Sequence, residues 1–337
     1  MTRCYVRDLV DGDAVDRVLL VRDKQVRANR NGNLYLQFNL DDRTGTIAAR
    51  YWNSSESETR AFEPGDFLSV RGKVQTFQGQ LQLIVNAFRR CDPDTVDAAD
   101  FIPTTEKNVD AMMNRVRGYL ERIGDPTMQA IARSFLMDDE FMQKFMRAPA
   151  GIRNHHAYVG GLLEHVTTLL DIHERISDLY PDLDHDLLRL GILLHDVGKV
   201  RELAFDRVFS YTDVGEMIGH LVLGVEMLDE KLPVAEDLLG EPLSQEVVCR
   251  IKHLILSHHG TYEFGSPRLP MTPEAIALHH LDNLDAKVHG YVHMIREDAN
   301  PGSAWTAYDP SMRRRLYKGP LAHTGSSSLH ENPDSAK

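Results

Sequence analysis

The chain has 337 residues, of which 42% are hydrophobic and 26% charged, a mixture that excludes disordered and fibrous classes and leaves room for two domains, one of them large. Its net charge of −12 argues against a chain that binds polyanions over its whole surface, because such binding is largely phosphate neutralisation by Lys and Arg. The charge is unevenly spread: residues 1–90 hold 14 Lys and Arg against 11 Asp and Glu, and the remainder holds 24 against 39.

From Val15 to Phe88 short alternating apolar runs are broken by turn residues, the pattern of a half-buried antiparallel sheet. Strands are predicted over Val15–Val26, Leu34–Leu40, Thr46–Trp52, Phe67–Thr76 and Leu81–Phe88. Five strands with a longer connection between the third and fourth suit an OB-fold barrel over residues 1–92. An acidic linker follows over 93–105. Residues 106–318 are expected to be all helical, because apolar positions recur at three- and four-residue steps in Val109–Ile123, Met128–Met146, Tyr158–Leu179, Leu187–Val197, Met217–Leu228, Val247–Leu256 and Pro273–Met294. The small, polar tail over 319–337 is expected to be disordered. The N-terminus has no apolar stretch behind its charges and no run of about 18 apolar residues occurs, so neither secretion nor membrane spanning is expected. Cys4, Cys91 and Cys249 are far apart and in no CxxC pair, which fits a reducing cytoplasm.

Sixteen histidines are unevenly placed, several beside carboxylates on predicted helices. Imidazoles and carboxylates together form a ligand set for first-row divalent metals. The anchor is His195-Asp196, where the apolar run Leu190–Leu194 meets two ligand-type residues and then Gly198, a candidate helix C-cap. Alone, this pair also fits a simple helix end with His near the negative pole of the dipole. The set is more informative: His165 ahead of it, and His220, His258 and Asp282 after it, offer one ligand from each of several successive helices, as metal sites in bundle cores do. Neither G-x-S-x-G, a P-loop nor G-x-G-x-x-G after a strand is present, which disfavours covalent and nucleotide-cradle chemistry.

The order H…HD…H…HH…D resembles the HD superfamily of metal-dependent phosphohydrolases. The stretches His155–His165, Leu256-Ser257-His258-His259-Gly260 and Asp282–Lys287 are similar to the YhaM-type 3′→5′ exoribonucleases, which also carry an N-terminal OB-fold. The resemblance covers about residues 12–300. It implies a hydrolase that trims single-stranded RNA, with single-stranded DNA as the other candidate, to nucleoside 5′-monophosphates by a water activated between two divalent ions. His165, His195, Asp196 and Asp282 would form one metal site, with Asp196 bridging to a second held by His220 and His258, and with His259 replacing or assisting His258. Manganese is implied by the resemblance, whereas the donors suit manganese, iron or cobalt about equally. Lys199, just beyond Asp196, is placed to donate to a phosphate oxygen; its plainer role is an exposed cation at a helix C-terminus.

His155 and His156 are expected to begin a helix and to line the substrate side, His279 and His280 to orient Asp282, and His173, His185, His253, His289 and His293 to be structural. In the barrel, alternation places Leu34, Leu36, Phe38 and Leu40 inside and Tyr35 outside. Leu68, Val70 and Val74 also face inward. Trp52 and Phe77 join Arg50, Arg71 and Lys73 on the outer surface, the mixture that sequence-tolerant single-strand binding requires. The competing role for these aromatic residues is cross-strand packing. Rival functions are an HD phosphohydrolase of a small nucleotide, such as a cyclic dinucleotide, alarmone or dNTP, and a non-catalytic single-strand-binding protein.

Overall fold

In the computed structural model the described residues are 5–29, 32–77, 79–97, 100–152, 156–205, 209–296, 298, 302–310 and 312–319. His155, and the tail from residue 320 on, lie outside them. Two compact units are present, Met1–Asp285 and Ala286–Lys337. Among the described residues no helix is long and apolar enough to cross a membrane.

Strands β1 (Ala14–Ala28), β2 (Leu34–Asp42), β3 (Gly45–Tyr51), β4 (Phe67–Phe77) and β5 (Gln80–Arg90) close a barrel in the order β1-β2-β3-β5-β4, with helix α1 (Glu56–Thr59) between β3 and β4. Pairs are antiparallel except β3 with β5, which is parallel. Alternation sends Leu36, Phe38, Leu40, Ala49, Leu68, Val70 and Leu83 to the interior, all essentially inaccessible. Phe62 plugs one region of the core against Phe38 and Phe88, with ring centroids 5.4 and 5.1 Å away. Leu34, predicted to face inward, is only half-buried because it begins its strand. The connector does not swing free: Phe101 and Ile102 are buried against Leu20 and Phe67 of the barrel.

Among the described residues ten α-helices follow: α2 (Val109–Leu120), α3 (Pro126–Leu136), α4 (Asp139–Arg147), α5 (Gly161–Ile176), α6 (His185–Leu194), α7 (Lys199–Glu202), α8 (Asp213–Ile218), α9 (His220–Leu239), α10 (Gln245–Ser257) and α11 (Pro273–Arg296). A two-residue ladder, β6 (Leu203–Ala204) with β7 (Ser210–Tyr211), interrupts them. The single helix predicted over Met128–Met146 is two helices, because Asp138 accepts a hydrogen bond from the Phe141 amide and starts α4 afresh. That predicted over Met217–Leu228 is split by Gly219, at φ 80° and ψ 155°. Beyond the split, α9 runs through Pro233 to Leu239. An interior proline costs about 3 kcal/mol, and packing of α9 on α3 with Leu228 and Ala235 fully buried offsets it. Central to the core are Leu162, Leu163, Val166, Leu190, Ile192, Leu194, Ile251, Leu254 and Leu278, which bind α5, α6, α10 and α11 into one body.

His173 of α5 is buried, with Nε2 3.0 Å from His185 Nδ1. Burial, aided by the Arg189 charge, lowers its pKa from 6.5 to about 4. The unfolded chain therefore takes up this proton first as pH falls. Stability is complete above pH 6.5 and drains away down to pH 4, by about 3 kcal/mol. Urea titrations across that window are expected to lose this slope in His173→Leu, and an unchanged slope would assign acid sensitivity elsewhere.

Candidate metal centre and nucleic-acid interface

Five of the predicted ligands lie where helices begin or end, Asp196 among them in the corner between α6 and α7. His195 follows α6 in right-handed geometry, His220 opens α9, and His258 and His259 follow α10. His165 projects from the second turn of α5 and Asp282 from α11. Gly198 is not the left-handed C-cap expected from sequence: its φ is −60° and it opens α7. Its role is close approach, since a Cβ there would stand 2.1 Å from the His220 carbonyl oxygen. Lacking a side chain, it lets the α6–α7 corner, with Asp196, rest on the start of α9.

All seven residues fall into groups whose donor atoms lie within 4.8 Å of one another. In one group His165 Nε2 is 3.3 Å from His195 Nε2 and 3.2 Å from Asp282 Oδ1. In the other, His220 Nε2 is 3.2 Å from His259 Nε2, and His258 belongs to the same cluster. Asp196 lies between them: Oδ2 is 3.4 Å from His195 Nε2 and 4.0 Å from His165 Nε2, while Oδ1 is 3.5 Å from both His220 Nε2 and His258 Nε2. Both His258 and His259 face the same cluster, so the geometry offers both in place of a choice between them.

The outer nitrogens determine what the inner ones offer. His195 Nδ1 meets the Ile192 carbonyl at 2.9 Å, His258 Nδ1 that of Ile255 at 2.8 Å and His259 Nδ1 that of Phe264 at 2.8 Å. His165 Nδ1 meets Asp285 at 2.7 Å and His220 Nδ1 meets Glu202 at 2.9 Å. Carbonyls and carboxylates only accept, so each Nδ1 carries a proton and each ring turns its Nε2 inward as the edge available to a metal. In neutral rings two such Nε2 atoms at 3.2 Å, as in His220 and His259, repel unless a cation lies between them. Asp196 Oδ1, buried and without a hydrogen bond, is a further unsatisfied donor atom. Five imidazole nitrogens and two carboxylates of this kind fit divalent first-row ions.

The electrostatics point the same way. Burial opposes charge on His165, but Asp282 and Asp285 outweigh it and raise its pKa to about 9. Burial also opposes ionisation of Asp196, Asp282 and Asp285, yet Lys199 and the surrounding histidines hold all three below the usual carboxylate range. His258, by contrast, is pushed to about 3 by burial and stays neutral.

Lys199 is not an exposed helix-end cation: it is largely buried with Nζ 2.6 Å from Asp196 Oδ2. His156 does not begin a helix; it sits in a turn at φ 52°, five residues before α5, buried and tied to Asp285 at 2.9 Å. His279 bonds the His258 carbonyl at 2.8 Å, and so supports the HH corner instead of Asp282. His253 accepts a hydrogen bond from the Met271 amide. Asp285 and Glu202, which hold ligand histidines, were missed from sequence. Asp285 had a usable signal, since it stands one turn from Asp282 on the same helix face. Glu202 had none.

On the barrel, Tyr35 and Trp52 contact each other with centroids 4.8 Å apart, and the Arg50 guanidinium lies 5.6 Å from the Trp52 ring and 5.4 Å from the Phe77 ring. Trp52 is 41% and Phe77 46% exposed. These residues occupy the outer face of β2–β3 and the end of β4 before its turn into β5, the surface on which OB-folds bind oligonucleotides. Lys73 is exposed and shares a register row with Arg50 through Ile84. Arg71 instead reaches Asp16 at 2.9 Å on the β1 side.

Comparison with known proteins agrees with this architecture. Residues 162–287 match the HD domain model and residues 17–90 the model of an OB-fold nucleic acid binding domain. The 3′-5′ exoribonuclease YhaM of Bacillus subtilis (strain 168) is 36% identical over 93% of this chain and 96% of its own length. The enzyme of the same name from Geobacillus sp. (strain WCH70) is 34% identical over 91% and 92%. With an OB-type barrel, a helical HD domain and paired His/Asp clusters in one chain, this protein belongs to the YhaM 3′-5′ exoribonuclease family.

Proposed function

We propose that the chain removes nucleoside 5′-monophosphates one at a time from the 3′ end of single-stranded RNA, in the cytoplasm, using two divalent cations, manganese ahead of iron or cobalt. The observation that carries this reading is the convergence of His165, His195 and Asp282 on one side of Asp196 and of His220, His258 and His259 on the other, with Asp196 Oδ1 buried and without a hydrogen bond. His165, His195 and Asp282 would hold one ion, His220, His258 and His259 the other, and Asp196 both. Such a pair supplies Lewis acidity and an activated water at neutral pH. By donating from Nδ1 the histidines would present Nε2 to the ions. Lys199, buried beside Asp196, offers an ammonium to a non-bridging phosphate oxygen where charge grows. Tyr35, Trp52 and Phe77 would stack on bases while Arg50 and Lys73 follow the backbone.

The test is a 5′-labelled RNA in manganese, which should shorten stepwise from its 3′ end. Phosphate or linear dinucleotide released from small nucleotides, with RNA untouched, would select the small-nucleotide reading. On the same RNA, Trp52→Ala is expected to weaken binding, read by fluorescence anisotropy, about fivefold or more, since one stacked base is worth about 1–3 kcal/mol. Undiminished binding would remove the barrel face from the substrate path.

A further inference from the structure

His156 is the one buried side chain near the metal-type clusters that combines strained backbone with a direct line to a candidate ligand among the described residues. Its φ of 52° lies in the left-handed region, uncommon for a residue with a Cβ. Such strain persists only where the surroundings hold it, and here they do. The His156 carbonyl accepts from the amides of Ala150 and Tyr158 at 3.1 and 2.9 Å. It also packs so tightly on Gly161 that a Cβ there would stand 2.1 Å from the carbonyl oxygen. The ring is thereby aimed at Asp285, with Nε2 2.9 Å from Oδ2, while Nδ1 is 2.8 Å from the Tyr158 hydroxyl oxygen. That same Oδ2 receives His165 Nδ1 at 2.7 Å. A carboxylate only accepts, so both histidines donate to one oxygen, and Asp285 is held from behind by His156 as it holds His165 in front.

We infer that His156 is a positioning residue for the His165 cluster: through Asp285 it fixes the tautomer and ring orientation that present His165 Nε2 to a divalent cation. His156 joins the His165 cluster through Asp285, so its effect is expected to fall chiefly on the ion that His165 would hold. The inference rests on the metal reading of the clusters.

The test uses full-length His156→Asn, because asparagine is at home in left-handed backbone yet is too short to span to Asp285. Manganese binding to metal-free protein is measured by calorimetry beside thermal unfolding. Wild type should bind two ions. The variant should bind one of them more weakly by about 10–100-fold, the usual loss when such a partner is removed, with the other unchanged and hydrolysis recovering at saturating manganese. Should His156→Asn fail to fold, Tyr158→Phe carries the test, and weakening of one ion by threefold or more supports the inference. Isotherms that superimpose on wild type, or equal weakening of both ions, overturn it. Wild-type protein that binds no manganese would instead overturn the metal reading itself.

Discussion

Replacing Asp196 by alanine is expected to lower the rate of RNA hydrolysis by at least about a thousandfold, roughly 4 kcal/mol of transition-state stabilisation, while leaving binding of single-stranded RNA within about twofold. Asp196 is the one predicted ligand whose two oxygens face different clusters, Oδ1 toward His220 and His258 and Oδ2 toward His195 and His165. Removing it takes a donor from both at once. Binding should persist because Arg50, Trp52 and Phe77 lie on the barrel. Alanine also strands the buried Lys199 ammonium, and breaking a buried pair costs about 3–5 kcal/mol. Asp196→Asn, which keeps the volume, is therefore run beside it with a melting curve. Single-turnover kinetics and fluorescence anisotropy on the same RNA separate the two effects, and wild-type hydrolysis by folded Asp196→Ala would move the chemistry away from this centre.

Stripping the protein with a chelator is expected to abolish hydrolysis and to lower the melting temperature on the order of 10 °C relative to protein in manganese at a thousandfold excess over Kd. Binding at that excess stabilises by about 4 kcal/mol, and the temperature shift follows from the unfolding entropy of a domain this size. The reason is visible in the clusters: without a cation, the Nε2 atoms of His220 and His259 face each other at 3.2 Å, and the His165–His195 pair at 3.3 Å depends on a proton for its positive charge. Their donors are mostly imidazole. Manganese, iron(II) and cobalt should restore activity, whereas magnesium, which demands oxygen ligands, should restore little. Calorimetric scans with and without each ion, paired with the RNA assay, check this. A melting temperature indifferent to manganese would contradict it.

Much of the architecture could be read from residue order, and for a simple reason. Strand alternation depends on a residue and its immediate neighbours, so the barrel core from Leu36, Phe38 and Leu40 was legible, as was the switch to helical spacing after the connector. The breaks inside that pattern were less so. Asp138 ends one helix run and Pro233 fails to end another, because capping and packing decide between alternatives that periodicity leaves equal. The ligand-type residues could be singled out because adjacent His-Asp and His-His pairs on successive helices are chemically conspicuous.

What residue order determined by itself was therefore the two kinds of secondary structure, their succession and the set of donors. Tertiary structure decided how those donors are used. His165 is held by Asp285, 120 residues away, and His156 is tied to Asp285 across 129 residues. Gly198 matters for its contact with His220 and not for its own torsion. Hydrogen bonds that select a tautomer, and helix ends that bring Asp196 between two groups of histidines, depend on distances set by packing of the whole helical core. No local pattern in the chain encodes those distances.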